Sequence, residues 1–205
     1  MTISFQELAK KGKPIVPVIA LPSLECALPL ADTLSSCGFN ILEITLRTEC
    51  ALDAIKLLVE SRPQLVIGAG TVKNTLQLQQ TLDAGAQFIV SPGTSAEMIA
   101  KAREYNTAVV PGVMTPSEIM VAENLGLDTV KLFPAALAGG TDFITSMAAV
   151  FPGMKFFPTG GVSEDDVNRY LALPNVVCAG GTWLTPKTLM EKGDWNKIHE
   201  IAQRC

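Results

Sequence analysis

Two charged residues lie within apolar runs that packing alone would fill with hydrophobic side chains. Glu43 lies in ILEIT (41–45) and Lys131 lies in DTVKLF (128–133). An ionised side chain in an apolar interior costs free energy unless it is paired or has a chemical use. Desolvation lowers the pKa of a lysine, which leaves free amine near neutral pH to attack a carbonyl carbon. The pattern therefore predicts that Lys131 is a nucleophile that forms a Schiff base.

The two charges are expected to share one interior. Alternate residues of a strand point to the same face, so Glu43 lies with Ile41 and Thr45, and Lys131 lies with Phe133. Glu43 then has two compatible interpretations, a salt-bridge partner of Lys131 or a general acid/base, and the shared face favours proton transfer.

Arg47 follows the second run and offers a planar fork that suits a substrate carboxylate. An ordinary surface arginine is the alternative. A strand lysine such as Lys131 also has an alternative, an edge position from which it reaches solvent. A closed barrel has no edges, Lys155 opens its strand at the opposite end, and Lys73 falls in a loop, so Lys131 is the favoured nucleophile.

Two glycine-rich turns suggest an anion site. Thr159-Gly160-Gly161 and Gly180-Gly181-Thr182 follow the last two apolar runs. Glycines there let backbone N–H groups approach an anion, and a following helix N-terminus adds a favourable dipole. Tight turns that only need glycine are the alternative. The position of both pairs after the last two strands of a barrel favours phosphate binding.

The elements that must position these residues alternate along the whole chain. Segments with helical spacing separate the runs, and Ser95, Thr115 and Ser163 are suited to cap helices. The predicted strands are 15–19, 41–45, 65–69, 87–91, 107–111, 128–133, 155–159 and 175–179.

Regular alternation of apolar strands and helices predicts a parallel sheet covered by helices. Eight such units without a linker favour a single (β/α)8 TIM barrel over residues 1–205, with a short N-terminal helix, over an open flavodoxin-like sheet, which needs only five or six strands. In a barrel, active sites lie at the carboxyl ends of the strands, where the polar residues above fall.

Composition narrows the function classes. The chain has 16 Lys and Arg against 20 Asp and Glu, which gives no electrostatic footprint for nucleic acid or an anionic membrane. No secretory signal and no membrane-spanning run is recognisable. Five scattered cysteines without metal-like spacing fit a reduced, cytoplasmic location. The single histidine, His199, lies in the terminal helical segment, so we expect no metal and no cofactor.

The chain resembles the 2-keto-3-deoxy-6-phosphogluconate (KDPG) and 4-hydroxy-2-oxoglutarate (KHG) aldolase family. The motifs that carry this resemblance span the chain in order and spacing: PVIALP, ILEITLRT, IGAGTV, GVMTPSE, TVKLFPA, PTGGV and AGGTWL. The resemblance implies a class I aldolase that splits KDPG into pyruvate and glyceraldehyde 3-phosphate, with activity on KHG as a further expectation, and a homotrimer.

The resemblance also implies roles for individual residues. Lys131 matches the family's Schiff-base lysine and Glu43 its general acid/base. Thr182 departs from the serine common in the family's GGSWL segment. The hydroxyl group is kept, but the added methyl group is expected to alter the affinity for phosphate. The substrate contacts implied are Arg47, Thr71, Phe133 and Thr159, and the phosphate contacts are Gly160, Gly161, Gly180, Gly181 and Thr182.

Three alternatives stay open at this point. An aldolase for the galactonate epimer of the same substrate differs only in the configuration of one hydroxyl group. A metal-dependent sugar-phosphate epimerase on the same barrel is disfavoured by the scarcity of histidine, and inhibition by a chelator would support it. A non-catalytic phosphosugar-binding protein would bind ligand without covalent chemistry.

Overall fold

The computed structural model describes residues 4–205, in which strands and helices alternate as the sequence predicts. Residues 1–3, which the single-domain prediction over 1–205 includes, lie outside the described residues. The strands are β1 (Ile15–Ile19), β2 (Ile41–Thr45), β3 (Val66–Gly70), β4 (Phe88–Val90), β5 (Ala108–Val110), β6 (Gly112–Val113), β7 (Thr129–Leu132), β8 (Lys155–Phe156) and β9 (Ala179–Gly181).

One helix precedes the first strand and the others lie between and after the strands, and a 3-10 turn at Leu24–Cys26 precedes the second helix. They are α1 (Phe5–Ala9), α2 (Ala27–Ser36), α3 (Ala51–Ser61), α4 (Thr75–Asp83), α5 (Ala96–Glu104), α6 (Pro116–Asn124), α7 (Gly140–Val150), α8 (Val167–Leu171), α9 (Lys187–Lys192) and α10 (Trp195–Gln203).

The strands form two parallel sheets, not the one eight-stranded sheet that the sequence predicts. One has six strands in the order β5-β4-β3-β2-β1-β9, and the other has three in the order β6-β7-β8. Pro111 separates β5 from β6, because proline has no N–H to donate to the ladder. Its carbonyl accepts the N–H of Lys131 at 2.8 Å. The fold is therefore α/β with a curled parallel sheet.

The last strand differs most from its prediction. The run at 175–179 has the β-branched residues, yet β9 begins only at Ala179. Val176 forms only an isolated bridge with Phe156 of β8, and its N–H donates to the carbonyl of Leu173 at the end of the turn after α8. Pairing with β1 decides the strand, because Ile15, Val16 and Pro17 lie opposite residues 179, 180 and 181. Long-range pairing here overrides local propensity.

Helix starts are confirmed at two of the three predicted positions. Ser95 accepts the N–H of Met98, and Thr115 forms a capping box with Glu118. The prediction for Ser163 was wrong, because α8 begins only after Asp166. The backbone N–H of Ser163 donates instead to Asp166 Oδ1 at 2.7 Å, which closes a turn.

Buried apolar side chains form two clusters, one between the sheets and the surrounding helices and one inside the curl of the sheets. Most buried apolar side chains pack between the strands and the surrounding helices. A second cluster lies inside the curl, where Phe5 of the short N-terminal helix packs against Phe88 and Phe157 with ring centroids 5.3 and 5.4 Å apart. Helix α1 therefore fills one end of the sheet interior. Among residues 4–205, no helix is both long and apolar enough to cross a bilayer.

Candidate active site

Lys131 and Glu43 meet between the two sheets. Lys131 is carried by β7 and Glu43 by β2, and their Nζ and Oε1 atoms lie 3.7 Å apart. The side chains are 3% and 0% exposed, so both charges are removed from water. The prediction that these residues share one interior is confirmed.

Burial dominates the electrostatics of the lysine. It lowers the pKa of Lys131, the Glu43 carboxylate opposes this by raising the pKa, and the charge of Arg47 lowers it again. The net direction is down, as a nucleophilic amine requires. Nζ also lies 4.9 Å from the centre of the Phe133 ring. Lys73, the other lysine near this end of the sheet, is exposed.

Because Glu43 and Arg47 have opposite effects on the pKa of Lys131, removing either charge should shift that pKa in opposite directions. Glu43→Gln removes the charge that raises the pKa of Lys131, so that pKa should fall further. Arg47→Gln removes a charge that lowers it, so the pKa should rise. The rate at which acetic anhydride acetylates Lys131 is measured at a series of pH values by peptide mass spectrometry. This rate reports both pKa shifts and does not depend on turnover of the substrate. Shifts of the same sign in the two variants would contradict the arrangement.

Three buried polar atoms at the site have no hydrogen-bond partner within residues 4–205. They are both carboxylate oxygens of Glu43 and the hydroxyl of Thr159. Thr159 is 2% exposed and forms a parallel bridge with Gly180. Buried polar atoms are nearly always paired, so unpaired ones call for water or a ligand. The arrangement thus has proton-transfer and hydrogen-bonding capacity that the protein itself does not use.

Arg47 and Thr71 lie together beside this centre. Arg47 follows β2 and is exposed, and its Nε donates to Thr71 Oγ1 at 3.2 Å. Thr71 follows β3 and has a φ of 60°, the left-handed region that a β-branched residue seldom occupies. Such strain persists where the surroundings fix the residue, and it is common at functional sites. The guanidinium fork is thus held by its Nε, which leaves its other N–H groups able to bind a ligand.

The first glycine-rich turn packs on the aromatic residue next to the lysine. Gly160 and Gly161 have φ of 90° and 82°, which only glycine adopts readily. A Cβ on Gly160 would meet the Phe133 ring at 3.1 Å, and one on Gly161 would meet the Cβ of Ala136 at 2.5 Å. Within residues 4–205, the N–H groups of both glycines donate to no carbonyl. The turn therefore presents free backbone donors near Phe133.

The prediction of a second turn at Gly180 and Gly181 was wrong, because both are buried residues of strand β9, paired with β1, and the N–H of Gly180 donates to the carbonyl of Pro158 at 2.8 Å. Gly180 packs against Thr159, because a Cβ there would meet Oγ1 at 2.3 Å, and Gly181 packs against the Trp183 ring. The hydroxyl-bearing Thr182 is exposed. The helices after the two glycine pairs begin only at Val167 and Lys187. The predicted contribution of a helix N-terminus directly after each pair is therefore wrong, and any anion here would depend on the backbone N–H groups of Gly160 and Gly161.

Two neighbours of the site were not predicted from the sequence. A Cβ on Gly70 would lie 2.0 Å from Glu43 Oε1. Cys178 is fully buried, and burial together with the nearby Glu43 charge raises the pKa of its thiol, which stays protonated at neutral pH. Glycine has no functional group, and Cys178 is one of five scattered cysteines whose spacing indicates no site. Within residues 4–205, no three His, Cys, Asp or Glu side chains are grouped to hold a metal ion.

A buried lysine and carboxylate on a curled parallel α/β sheet are features of enzymes that work through a covalent imine. The family profile for KDPG and KHG aldolases matches residues 6–201. The chain belongs to the KDPG and KHG aldolase family.

Individual relatives agree over nearly the full length. A 2-dehydro-3-deoxy-phosphogluconate aldolase of Pseudoalteromonas atlantica is 42% identical, with 99% of this chain and 94% of the relative covered. A KHG/KDPG aldolase of Escherichia coli is 43% identical, covering 94% and 90%. The crystal structure of KDPG aldolase from Legionella pneumophila, with pyruvate captured as a covalent carbinolamine intermediate, is 38% identical with a TM-score of 0.95, covering 99% of this chain and 98% of that one.

Proposed function

We propose that this protein is a class I aldolase that cleaves 2-dehydro-3-deoxy-6-phosphogluconate to pyruvate and glyceraldehyde 3-phosphate, with Lys131 as the Schiff-base residue. The observation that carries the proposal is the Lys131–Glu43 pair, which is buried, 3.7 Å apart and placed between the two sheets of a chain that matches the KDPG and KHG aldolase family. Cleavage of 4-hydroxy-2-oxoglutarate to pyruvate and glyoxylate is a second activity of the same site, supported by the name of the Escherichia coli relative.

The reaction begins at the C2 carbonyl. The neutral amine of Lys131 attacks C2 to give a carbinolamine, and loss of water gives an iminium ion. Glu43 transfers the protons that these steps need, because its carboxylate lies beside the amine and is bound to no other group. Arg47 holds the carboxylate on C1 with the N–H groups that its bond to Thr71 leaves free.

Cleavage then uses the iminium ion as an electron sink. The Glu43 carboxylate takes the proton of the C4 hydroxyl, the C3–C4 bond breaks, and its electrons form an enamine as glyceraldehyde 3-phosphate leaves; Glu43 then supplies the proton that the enamine takes up. Protonation of the enamine at C3 and attack of water at C2 release pyruvate and restore the Lys131 amine. The hydroxyl of Thr159, buried without a partner, is positioned for a substrate oxygen. Phe133 covers one side of the amine.

The substrate phosphate is assigned to the turn at Gly160 and Gly161 and to the end of β9 at Gly180, Gly181 and Thr182. The free N–H groups of the first turn and the left-handed backbone of both its glycines support this assignment. A phosphate held away from the reacting carbons fixes the aldehyde fragment in register for cleavage.

The experiment that tests the function is reductive trapping. The protein is incubated with pyruvate and borohydride, and its peptides are analysed by mass spectrometry. A reduced pyruvate adduct on Lys131 is expected. An unmodified protein, or an adduct only on Lys73, would overturn the assignment. Cleavage rates on the gluconate and galactonate epimers, measured with the same enzyme, then show which epimer is the preferred substrate.

We further propose that residues 1–205 form one closed (β/α)8 domain. Two contacts between the sheets support closure. The bridge between Thr159 and Gly180 joins the segment after β8 to β9, and the bond from the Lys131 N–H to the Pro111 carbonyl joins β7 to the connection between β5 and β6. The trimer and the cytoplasmic location that the resemblance and cysteine content imply belong to the same proposal. Five unpaired cysteines support a reducing compartment, and light scattering after gel filtration tests the trimer.

A further inference from the structure

We propose that Gly70 is a positioning residue for the reaction, because its lack of a side chain reserves the space of the Glu43 carboxylate. An ideal Cβ on Gly70 would lie 2.0 Å from Oε1, 2.7 Å from Cδ and 2.7 Å from Cγ of Glu43, and these are its three nearest atoms. Contacts this close do not occur, so any side chain at residue 70 would move the carboxylate. This inference rests on the proposed function of Glu43.

The displaced atom is the one that faces the amine. Oε1 is the oxygen that lies 3.7 Å from Lys131 Nζ, and it is also the oxygen nearest to the missing Cβ. Neither oxygen of Glu43 has a hydrogen-bond partner within residues 4–205. The space around the carboxylate, together with the charge of Lys131, therefore sets its position, and no network of hydrogen bonds would restore it.

The backbone does not explain the glycine. Gly70 ends β3 in regular parallel pairing, opposite Thr45 of β2, and its carbonyl accepts the N–H of Leu46 at 2.9 Å. It is absent from the residues with positive φ, so alanine is compatible with its backbone. The requirement comes from the neighbouring side chain alone.

Gly68 supplies a matched control in the same strand. It lies two residues earlier on the same face, and a Cβ there would meet the Phe88 ring at 2.3 Å. Phe88 belongs to the apolar cluster inside the sheet and has no part in the proposed chemistry. Alanine at residue 68 tests packing, whereas alanine at residue 70 tests the placement of Glu43.

The test is a double-mutant cycle with Glu43→Ala, which removes the atoms that the new methyl group would strike. Gly70→Ala alone should lower kcat by about 10²-fold, the loss associated with a displacement of about 1 Å, and leave KM close to that of the unmodified enzyme. In the Glu43→Ala background, Gly70→Ala should cause no further loss of kcat. Gly68→Ala should lower the melting temperature equally in both backgrounds.

Two results would overturn the inference. One is an unchanged kcat in Gly70→Ala, and the other is the same further loss of kcat in the Glu43→Ala background. If Gly70→Ala alone does not fold, the double variant with Glu43→Ala is the test. Steric coupling is supported if the double variant melts at the same temperature as Glu43→Ala, and the inference is overturned if the double variant also fails to fold. Trapping of pyruvate on Lys131 of the unmodified enzyme separates this outcome from a failure of the proposed function, since that experiment does not depend on residue 70.

Discussion

Replacement of Lys131 with methionine is expected to lower kcat for cleavage by on the order of 10⁴-fold or more, because no other group at the site can form the imine. Methionine matches the length of the lysine stem, so the loss should come from the amine and not from packing. Pyruvate release, measured at saturating substrate, checks the loss, and borohydride should trap no adduct on residue 131.

The same replacement has a second consequence, for stability. It leaves the Glu43 carboxylate buried without its partner, and breaking a buried pair in this way costs up to about 3–5 kcal/mol. Adding Glu43→Gln should recover part of that stability, because a neutral amide is cheaper to bury than an unpaired charge. Thermal unfolding of the two variants measures the recovery.

Lys73→Met is the matched control for the lost amine. Lys73 is exposed after β3 at the same end of the sheet. Its replacement should leave cleavage and trapping unchanged. Cleavage retained in Lys131→Met but lost in Lys73→Met would assign the nucleophile to the loop.

The alternating pattern of the fold was predictable because helices and parallel strands have different hydrophobic periods. The Lys131–Glu43 pair was predictable for a related reason, since a charge in an apolar strand stands out against its neighbours. Both inferences use information that is local in the sequence. The resemblance to a known family then named the reaction.

What the sequence did not predict depends on contacts between distant segments. Strand β9 is rich in glycine and was placed too early, because its pairing with β1 is visible only once the sheet forms. Gly70 carries no chemical signal, and its meaning comes from Glu43 on the adjacent strand. The start of α8 was misplaced since Ser163 closes a turn with Asp166 instead of capping a helix.

Glu43→Gln is expected to lower kcat by about 10²- to 10⁴-fold, the usual contribution of a positioned acid or base. The amide keeps the size of the carboxylate, so the fit beside Gly70 is preserved while the exchangeable proton site is lost. Binding of the phosphate end should change little, because the glycine-rich turns lie on other strands. Initial rates give kcat, and competitive inhibition by glyceraldehyde 3-phosphate gives the affinity for the phosphate end.

The ratio of these two effects distinguishes catalysis from structural support. If Glu43 only balanced the charge of Lys131, its loss would disturb the site as a whole, and turnover and phosphate affinity would fall together. If it transfers protons, kcat falls far more than affinity. Glu60→Gln removes the same charge from an exposed position on α3 and should affect neither quantity. A fall in kcat for Glu43→Gln against an unchanged inhibition constant therefore assigns the proton transfer to this carboxylate.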